Sequence, residues 1–247
     1  MFIVKSLLAG GITGFLCGLL GIGGGSIIVP VLFFFFSLSI KKAIATSLMI
    51  ILISALAGFL THLKGKNTDF KLALYLIISG MIGAQAGAHL TGILPEMIVK
   101  IFFIILIVGL GFKLLFSREV KYEKEEKYTL KWWSTSLIGF ISGAVSGLCG
   151  VGGAVLLVPL PHIILKVPIK ICIGTSLIVV FFNALSGFFA YSKMGFIDYR
   201  TGLFFGIAAI ITSPLGAKLS MRTPREKLRK MFALFLIITP ILLLFRK

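Results

Sequence analysis

Long apolar stretches follow one another along almost the whole chain, separated by short loops that hold most of the Lys and Arg residues. The chain has 247 residues, of which 58% are hydrophobic and 13% charged, too few polar residues for the surface of a soluble domain. Since a helix needs about 20 apolar residues to cross a bilayer, the stretches predict an all-α polytopic membrane protein. They lie at about 2–37, 43–62, 71–93, 97–116, 133–165, 171–192, 200–220 and 228–245.

The net charge of +17 arises from 25 Lys and Arg against 8 Asp and Glu. On a soluble protein such a charge would suggest nucleic acid as the partner. Here the basic residues lie in loops between apolar stretches, which is typical of cytoplasmic loops and of contact with anionic lipids. We therefore expect the lipid bilayer as a partner and exclude nucleic acid.

The sequence contains two copies of one unit. Shifted by 129 residues, Gly14–Pro95 aligns with Gly143–Pro224 without a gap, and about a third of the aligned positions are identical. The alignment predicts two homologous membrane repeats of four segments each, 1–116 and 132–247, joined by a charged cytoplasmic linker at 117–131. Duplicated membrane units are typical of secondary transporters.

Both copies interrupt their first apolar stretch with glycines, as GLLGIGGGSIIVP at 18–30 and GLCGVGGAVLLVP at 147–159. The first stretch, as one helix, would be about 50 Å long against a hydrocarbon core of about 30 Å. Broken at the glycines, it predicts two short arms, about 5–21 and 25–37, in a re-entrant hairpin.

The distribution of basic residues favours this hairpin. If each first stretch crossed once, Lys and Arg would divide 14 to 11 between the two sides, whereas re-entrant hairpins divide them 17 to 8. The second division agrees with the positive-inside rule, inverts the second repeat relative to the first, and places both termini outside the cytoplasm.

The glycine breaks predict an anion site. Irregular backbone inside a membrane is tolerated where it is covered by protein or lines a cavity, and an arm that starts there presents unpaired N–H groups. With the hairpins meeting tip to tip, we expect main-chain donors around six residues to hold a small anion. These are Gly23, Gly24, Gly25, Ser26, Gly152 and Gly153.

Polar side chains within the apolar stretches carry hydroxyl or amide groups, and every carboxylate lies in or beside a loop. Such groups suit an anion better than a cation, which would call for a carboxylate. We expect five of them to complete the cavity, namely Thr46, Ser47, Thr175, Ser176 and Asn183. Asp69 and Asp198, in contrast, are expected to cap the third helix of each repeat.

The three cysteines, Cys17, Cys149 and Cys172, have neither metal-ligand nor disulfide spacing, and we expect no metal and no cofactor. They leave open a different class of function, a membrane-embedded thiol-dependent sulfur-trafficking protein or enzyme. His62, His89 and His162 are candidates to carry a proton.

The ordered motifs resemble those of the TauE/SafE family of sulfite exporters over nearly the whole chain. The resemblance rests on G-x-x-x-G-x-x-G-x-G-G at 14–24 and 143–153, Pro30 and Pro159, and T-S-L preceded by Ala or Gly at 45–48 and 174–177. One departure is Ser26, which aligns with Val155, so that the site is expected to be asymmetric.

The resemblance implies a multi-pass transporter, not an enzyme, in the plasma membrane, the inner membrane of a prokaryote. It implies export of a small anion such as sulfite, a sulfonate or another organosulfur anion, with protons as coupling ion. We expect the carrier to work by alternating access of its two repeats, as a monomer or a homodimer. An anion channel built on the same hairpins remains an alternative.

Overall fold

The computed structural model describes residues 2–20, 24–63, 68–116, 130–220, 233–234 and 236–237. All regular secondary structure in these residues is helical. The helices are α1 (Phe2–Leu20), α2 (Gly25–Phe36), α3 (Ile40–Leu63), α4 (Phe70–Ile93), α5 (Glu96–Phe116), α6 (Trp132–Cys149), α7 (Ala154–Leu157), α8 (Pro159–Leu165), α9 (Ile169–Lys193) and α10 (Tyr199–Ser220).

Each first apolar stretch is divided into helices at its glycines, as the sequence predicts. In the first half, α2 runs back along α1. Two contacts show this: the Phe2 and Phe36 rings lie 6.2 Å apart, and Lys5 donates to the Phe35 carbonyl. In the second half, α8 likewise contacts α6. We call α1–α2 the first hairpin and α6–α8 the second hairpin.

The third helix of each half packs along the first helix of the other half, α4 on α6 and α10 on α1. Glycines bring these backbones into contact. A Cβ atom on Gly87 would overlap the Ala144 carbonyl, and one on Gly216 would overlap that of Phe15. Gly87 and Gly216 are 129 positions apart in the sequence, and so are their partners Phe15 and Ala144. Packing through small residues allows membrane helices to approach closely.

The loops before α4 and α10 confirm the expected caps. The Asp69 carboxylate accepts from the Leu72 N–H at 3.0 Å, and the Asp198 carboxylate accepts from the Thr201 N–H at 3.1 Å. An N-cap carboxylate satisfies helix N–H groups that have no partner within the helix, which fixes where α4 and α10 begin.

The helices fall into two groups. In what we call the first body, α1 contacts α2 and α10, and α3 contacts α2 and α10; α4 and α6–α9 form the second body, and α5 contacts α3 of one body and α6 of the other. The main contact between the bodies is that of α3 with α9. Each body therefore combines a hairpin and a long helix from one half of the chain with one helix from the other half.

The outer surface of the helices is apolar. Large hydrophobic side chains such as Ile78, Ile105 and Ile211 are more than half exposed. Among the described helices, two segments pass a test of length and hydropathy for spanning a membrane, Phe70–Ile93 and Ile171–Lys193. Exposed apolar faces on long helices are those expected of a protein that packs against lipid.

Candidate functional site

The tips of the two hairpins meet inside the protein. A Cβ atom on Gly25, the first residue of α2, would overlap the Gly150 carbonyl and the Val151 Cα atom, so only a glycine allows this approach. From α3, the Ser47 hydroxyl contacts the Ile44 and Gly150 carbonyls at 2.7 and 2.8 Å. Gly25 of the first break and Gly150 and Val151 of the second are thus brought to one place, and Gly23 lies outside the described residues.

The tip of the second hairpin turns through left-handed backbone. Gly150, Gly152 and Gly153 have φ values of 65°, 75° and 78°, which disfavour any residue with a side chain. The last N–H of the α6 turn, that of Gly150, donates to the Ser146 carbonyl at 2.8 Å, and the Gly153 carbonyl accepts from Leu156 and Leu157.

Between these two sets of bonds the main chain has unused donors. In the described part of the chain, the N–H groups of Val151, Gly152 and Gly153 have no hydrogen-bond acceptor, and all three residues are buried. Buried N–H groups are almost always paired with protein, water or a ligand. Three consecutive unpaired donors therefore point to a bound group that accepts hydrogen bonds.

Asn183 of α9 lies beside this tip. Its Nδ2 atom would be 3.5 Å from a Cβ atom on Gly153, and its Oδ1 atom lies against Gly80 of α4. The side chain is 0% exposed, and neither amide atom has a hydrogen-bond partner in the described structure. An unpaired buried polar group costs about 1–3 kcal/mol of stability, so the fold retains Asn183 at a cost.

Two hydroxyl groups are unpaired in the same way. Ser146 lies one turn before Gly150 on α6 and is 0% exposed, and Ser26 follows Gly25 and is 1% exposed. Neither Oγ atom has a partner among the described residues. Each hydroxyl can donate one hydrogen bond to a ligand at the tips.

The remaining residues expected at the site have other contacts. Thr46 accepts from the Asp198 N–H at 3.0 Å, and Thr175 accepts from the Asp69 N–H at 3.3 Å. These hydroxyls join α3 to the start of α10 and α9 to the start of α4. Ser176 donates to the Ile173 carbonyl at 2.9 Å, and the proton of Ser47 is likewise directed to carbonyl groups. Their binding to a ligand stays a prediction.

Ser146 was not expected at the site from the sequence. The residue that aligns with it in the first half is Cys17, so the alignment of the two halves does not show a hydroxyl preserved at this position. A signal was nevertheless present, because Ser146 stands four residues before Gly150 and so on the helix turn that leads into the break.

Other reactive side chains are used structurally. The Cys17 thiol lies 3.8 Å from the Gly24 carbonyl, and that of Cys172 lies 3.5 Å from the Val167 carbonyl. The His162 ring bonds the Val167 carbonyl at 2.9 Å, and His89 is exposed. Within the described residues, no group of three or more His, Cys, Asp or Glu side chains could hold a metal ion.

Helical hairpins that meet tip to tip, with buried unpaired donors and an apolar exterior, are features of a membrane protein that handles a polar solute. The family model described as sulfite exporter TauE/SafE matches residues 6–243, and the chain belongs to this family. It is a membrane protein of a transporter family, which implies a small-molecule substrate.

Several relatives extend over almost the whole chain. A "Probable membrane transporter protein" of Haemophilus influenzae is 31% identical over 97% of both chains. The "Probable membrane transporter protein YunE" of Bacillus subtilis is 25% identical over 96% of both. A further such protein from Methanocaldococcus jannaschii is 26% identical over 92% of this chain and 90% of its own. No solved structure matches the chain.

Proposed function

We propose that this protein is a secondary transporter of a small oxyanion, such as sulfite, a sulfonate or another organosulfur anion, and that the anion binds where the hairpin tips meet. The observation that carries the proposal is the row of buried, unpaired donors at Val151, Gly152 and Gly153, next to the unpaired amide of Asn183. Donors of this kind compensate an anion for its lost hydration.

The charge of the surroundings favours an anion over a cation. The groups without partners in the described structure at the tips are three main-chain N–H groups, two hydroxyls and one amide, and all are neutral. Cation transporters usually place a carboxylate within the membrane, whereas the described carboxylates of Asp69 and Asp198 cap α4 and α10. Neutral donors hold an anion without the strong attraction that would prevent its release.

The proposed topology is that of two inverted repeats, 1–116 and 132–247, each opening with a re-entrant hairpin. The contact of Phe2 with Phe36 supports the reversal of the first hairpin. Reciprocal bonds 129 residues apart, such as Asp198 to Thr46 and Asp69 to Thr175, support the pseudo-symmetry. The basic linker at 117–131 then lies in the cytoplasm of a prokaryote, and the protein lies in its plasma membrane.

Alternating access would move the two bodies rather than the two sequence repeats. Direct backbone contact joins α4 to α6 and α10 to α1. Although α4 and α10 each belong to the other half of the sequence, each would therefore move with the body on which it packs. The α3–α9 contact is the boundary about which the bodies would rock. Buried tip groups correspond to an occluded site, and export with proton coupling completes the proposed cycle.

Counterflow in proteoliposomes tests the proposal. Vesicles loaded with sulfite should accumulate labelled sulfite by saturable exchange, and Asn183→Leu should lower the exchange rate at least tenfold. Because leucine has a similar shape and needs no partner, the melting temperature should stay the same or rise. Ser54→Ala is the matched control, since Ser54 aligns with Asn183 but bonds the Ile51 carbonyl at 3.1 Å.

Two results would count against the proposal. Absence of exchange of any oxyanion by folded protein would reject anion transport. Full activity of Asn183→Leu would reject the binding site. A linear, non-saturable flux would instead identify the anion channel.

A further inference from the structure

Asn183 lies beside the second hairpin tip with one donor and one acceptor, and neither has a hydrogen-bond partner in the described structure. The Nδ2 atom lies toward Gly153, on the side of the unpaired main-chain N–H groups, and the Oδ1 atom lies toward Gly80. If the amide were rotated so that its nitrogen and oxygen changed places, one donor and one acceptor would still lack a partner. The main chain at the tip adds three further donors without an acceptor in the described residues, the N–H groups of Val151, Gly152 and Gly153.

From this pair we infer that the transported anion carries a hydroxyl group, as a monoprotonated oxyanion does. Its charged oxygen would accept from Nδ2 and the tip N–H groups, and its own O–H would donate to Oδ1. The inference rests on the proposed function and defines the substrate class more narrowly. An anion with acceptors alone would leave Oδ1 buried and unpaired, and a site built for a hydroxyl rejects analogues that lack it.

Within the described residues, no protein group donates a hydrogen bond to Oδ1. Helix α9 packs against α3, α4, α6, α7 and α8, and no titratable side chain in the described parts of these helices hydrogen-bonds the amide. Lys41 donates to the Gly92 carbonyl, Tyr191 to that of Gly147, and His162 bonds Val167. The other titratable groups on these helices are Lys42, His62, Lys71, Tyr75, His89, Cys149, Lys170, Cys172 and Lys193.

A proton at this position therefore arrives with the ligand. Movement of a monoprotonated anion transfers one proton with each substrate and requires no titrating side chain in the transport path. This would explain how a chain whose described carboxylates lie in or beside loops could couple anion movement to protons. It also predicts that a fully deprotonated anion is a poor substrate.

Hydrogen sulfite and methanesulfinate form a matched pair of probes. Both are singly charged and built on one sulfur atom, and a methyl group in methanesulfinate takes the place of the hydroxyl. In counterflow with the intact protein, we expect unlabelled hydrogen sulfite to exchange roughly tenfold or more faster than methanesulfinate at equal concentration. Asn183→Leu should reduce this preference to about onefold to threefold, whereas Ser142→Ala, whose hydroxyl bonds the Gly139 carbonyl at 2.9 Å, should retain it.

The outcomes separate this inference from the function on which it rests. Equal exchange of the two probes by the unmodified protein would overturn the hydroxyl requirement and leave anion transport intact. A preference for hydrogen sulfite that survives in Asn183→Leu would assign the hydroxyl to another group. Absence of exchange with either probe would overturn both this inference and the proposed function.

Discussion

The two hairpins share one plan and differ in their polar content. Both break at aligned glycines and both end in left-handed residues, Ser37 with φ 52° and Lys166 with φ 54°. Yet two polar groups of the first half have partners within that half, since Cys17 lies against the Gly24 carbonyl and Ser54 bonds the Ile51 carbonyl. The aligned groups in the second half, Ser146 and Asn183, are left without partners in the described structure.

This difference indicates different roles for the two halves of the chain. The shared glycines determine where the chain reverses and how closely the tips approach, which is required of both halves. Unpaired side chains, which reduce stability, are concentrated in the second half, where a ligand can satisfy them. Ser26 is the contribution of the first hairpin, and its counterpart, Val155, has no polar group.

The returning arms differ as well. Pro30 lies within a continuous α2, whereas the second arm divides at Val158 into α7 and α8, with Pro159 at the start of α8 and Pro161 two residues later. Proline removes a main-chain donor and restricts the residue before it, so two prolines close together favour a break. The second arm is consequently the less regular of the two.

The largest effect is expected at Gly25, which touches the backbone of Gly150 and Val151. Gly25→Ala would push the tips apart, because backbone atoms cannot move aside as a flexible side chain does. We expect near-complete loss of exchange and a loss of about 1–3 kcal/mol in the free energy of unfolding. Transport and thermal unfolding in detergent are the measurements.

Ala154 is the matched position in the second hairpin and already carries a Cβ atom. Ala154→Gly should therefore cost only about 0.5–1 kcal/mol and retain transport. Similar, small effects of both substitutions would show that the tip contact is unimportant and that the two hairpins are equivalent at this position.

The next largest effect is expected at Gly153, where φ is 78° and a Cβ atom would lie 2.9 Å from the Ser142 carbonyl. Gly153→Ala should lower the free energy of unfolding by about 1–2 kcal/mol through left-handed strain and reduce exchange by displacing the N–H groups. Thermal unfolding and the concentration dependence of sulfite exchange would measure the two effects.

Its counterpart Gly24 has ordinary helical backbone, φ −60° and ψ −17°. A Cβ atom there would meet the Ile28 Cδ1 atom at 2.8 Å and the Cys17 Sγ atom at 2.9 Å, the ends of flexible side chains. Gly24→Ala should change stability by less than about 1 kcal/mol. If Gly24→Ala proves as damaging as Gly153→Ala, the proposed asymmetry of the tips is wrong.

The sequence was sufficient to predict the helical membrane fold and both breaks. An apolar stretch that is too long for one crossing and contains several glycines favours a helix broken at those glycines. The caps at Asp69 and Asp198 follow from local chemistry. Thr46 and Thr175 show the limit of this reasoning. Their preservation in both halves is compatible with ligand binding and with the bonds to Asp198 and Asp69 that the structure contains.

The exchange of α4 and α10 between the halves could not be predicted either. Short loops favour packing between neighbours in the chain, whereas these helices pack on α6 and α1 through small residues whose partners the sequence does not specify. Whether a buried polar group has a partner depends on the same distant packing. For this reason Asn183 was identified as polar at the right depth, but not as unpaired.

The smallest effect is expected at Ser146, which contributes a single neutral donor. Ser146→Ala should raise the sulfite concentration for half-maximal exchange by about threefold to tenfold, as loss of one hydrogen bond predicts, without lowering the melting temperature. Ser142→Ala, one turn away on α6, removes a hydroxyl that bonds its own helix and should leave exchange unchanged. Equal effects of the two substitutions would mean that Ser146 acts through helix packing, and the second half would then bind the anion with the main chain of its hairpin tip and with Asn183 of α9 alone. A selective effect of Ser146→Ala would instead add a side chain of α6 to the site, so that the first arm and the tip of the second hairpin would both contact the anion.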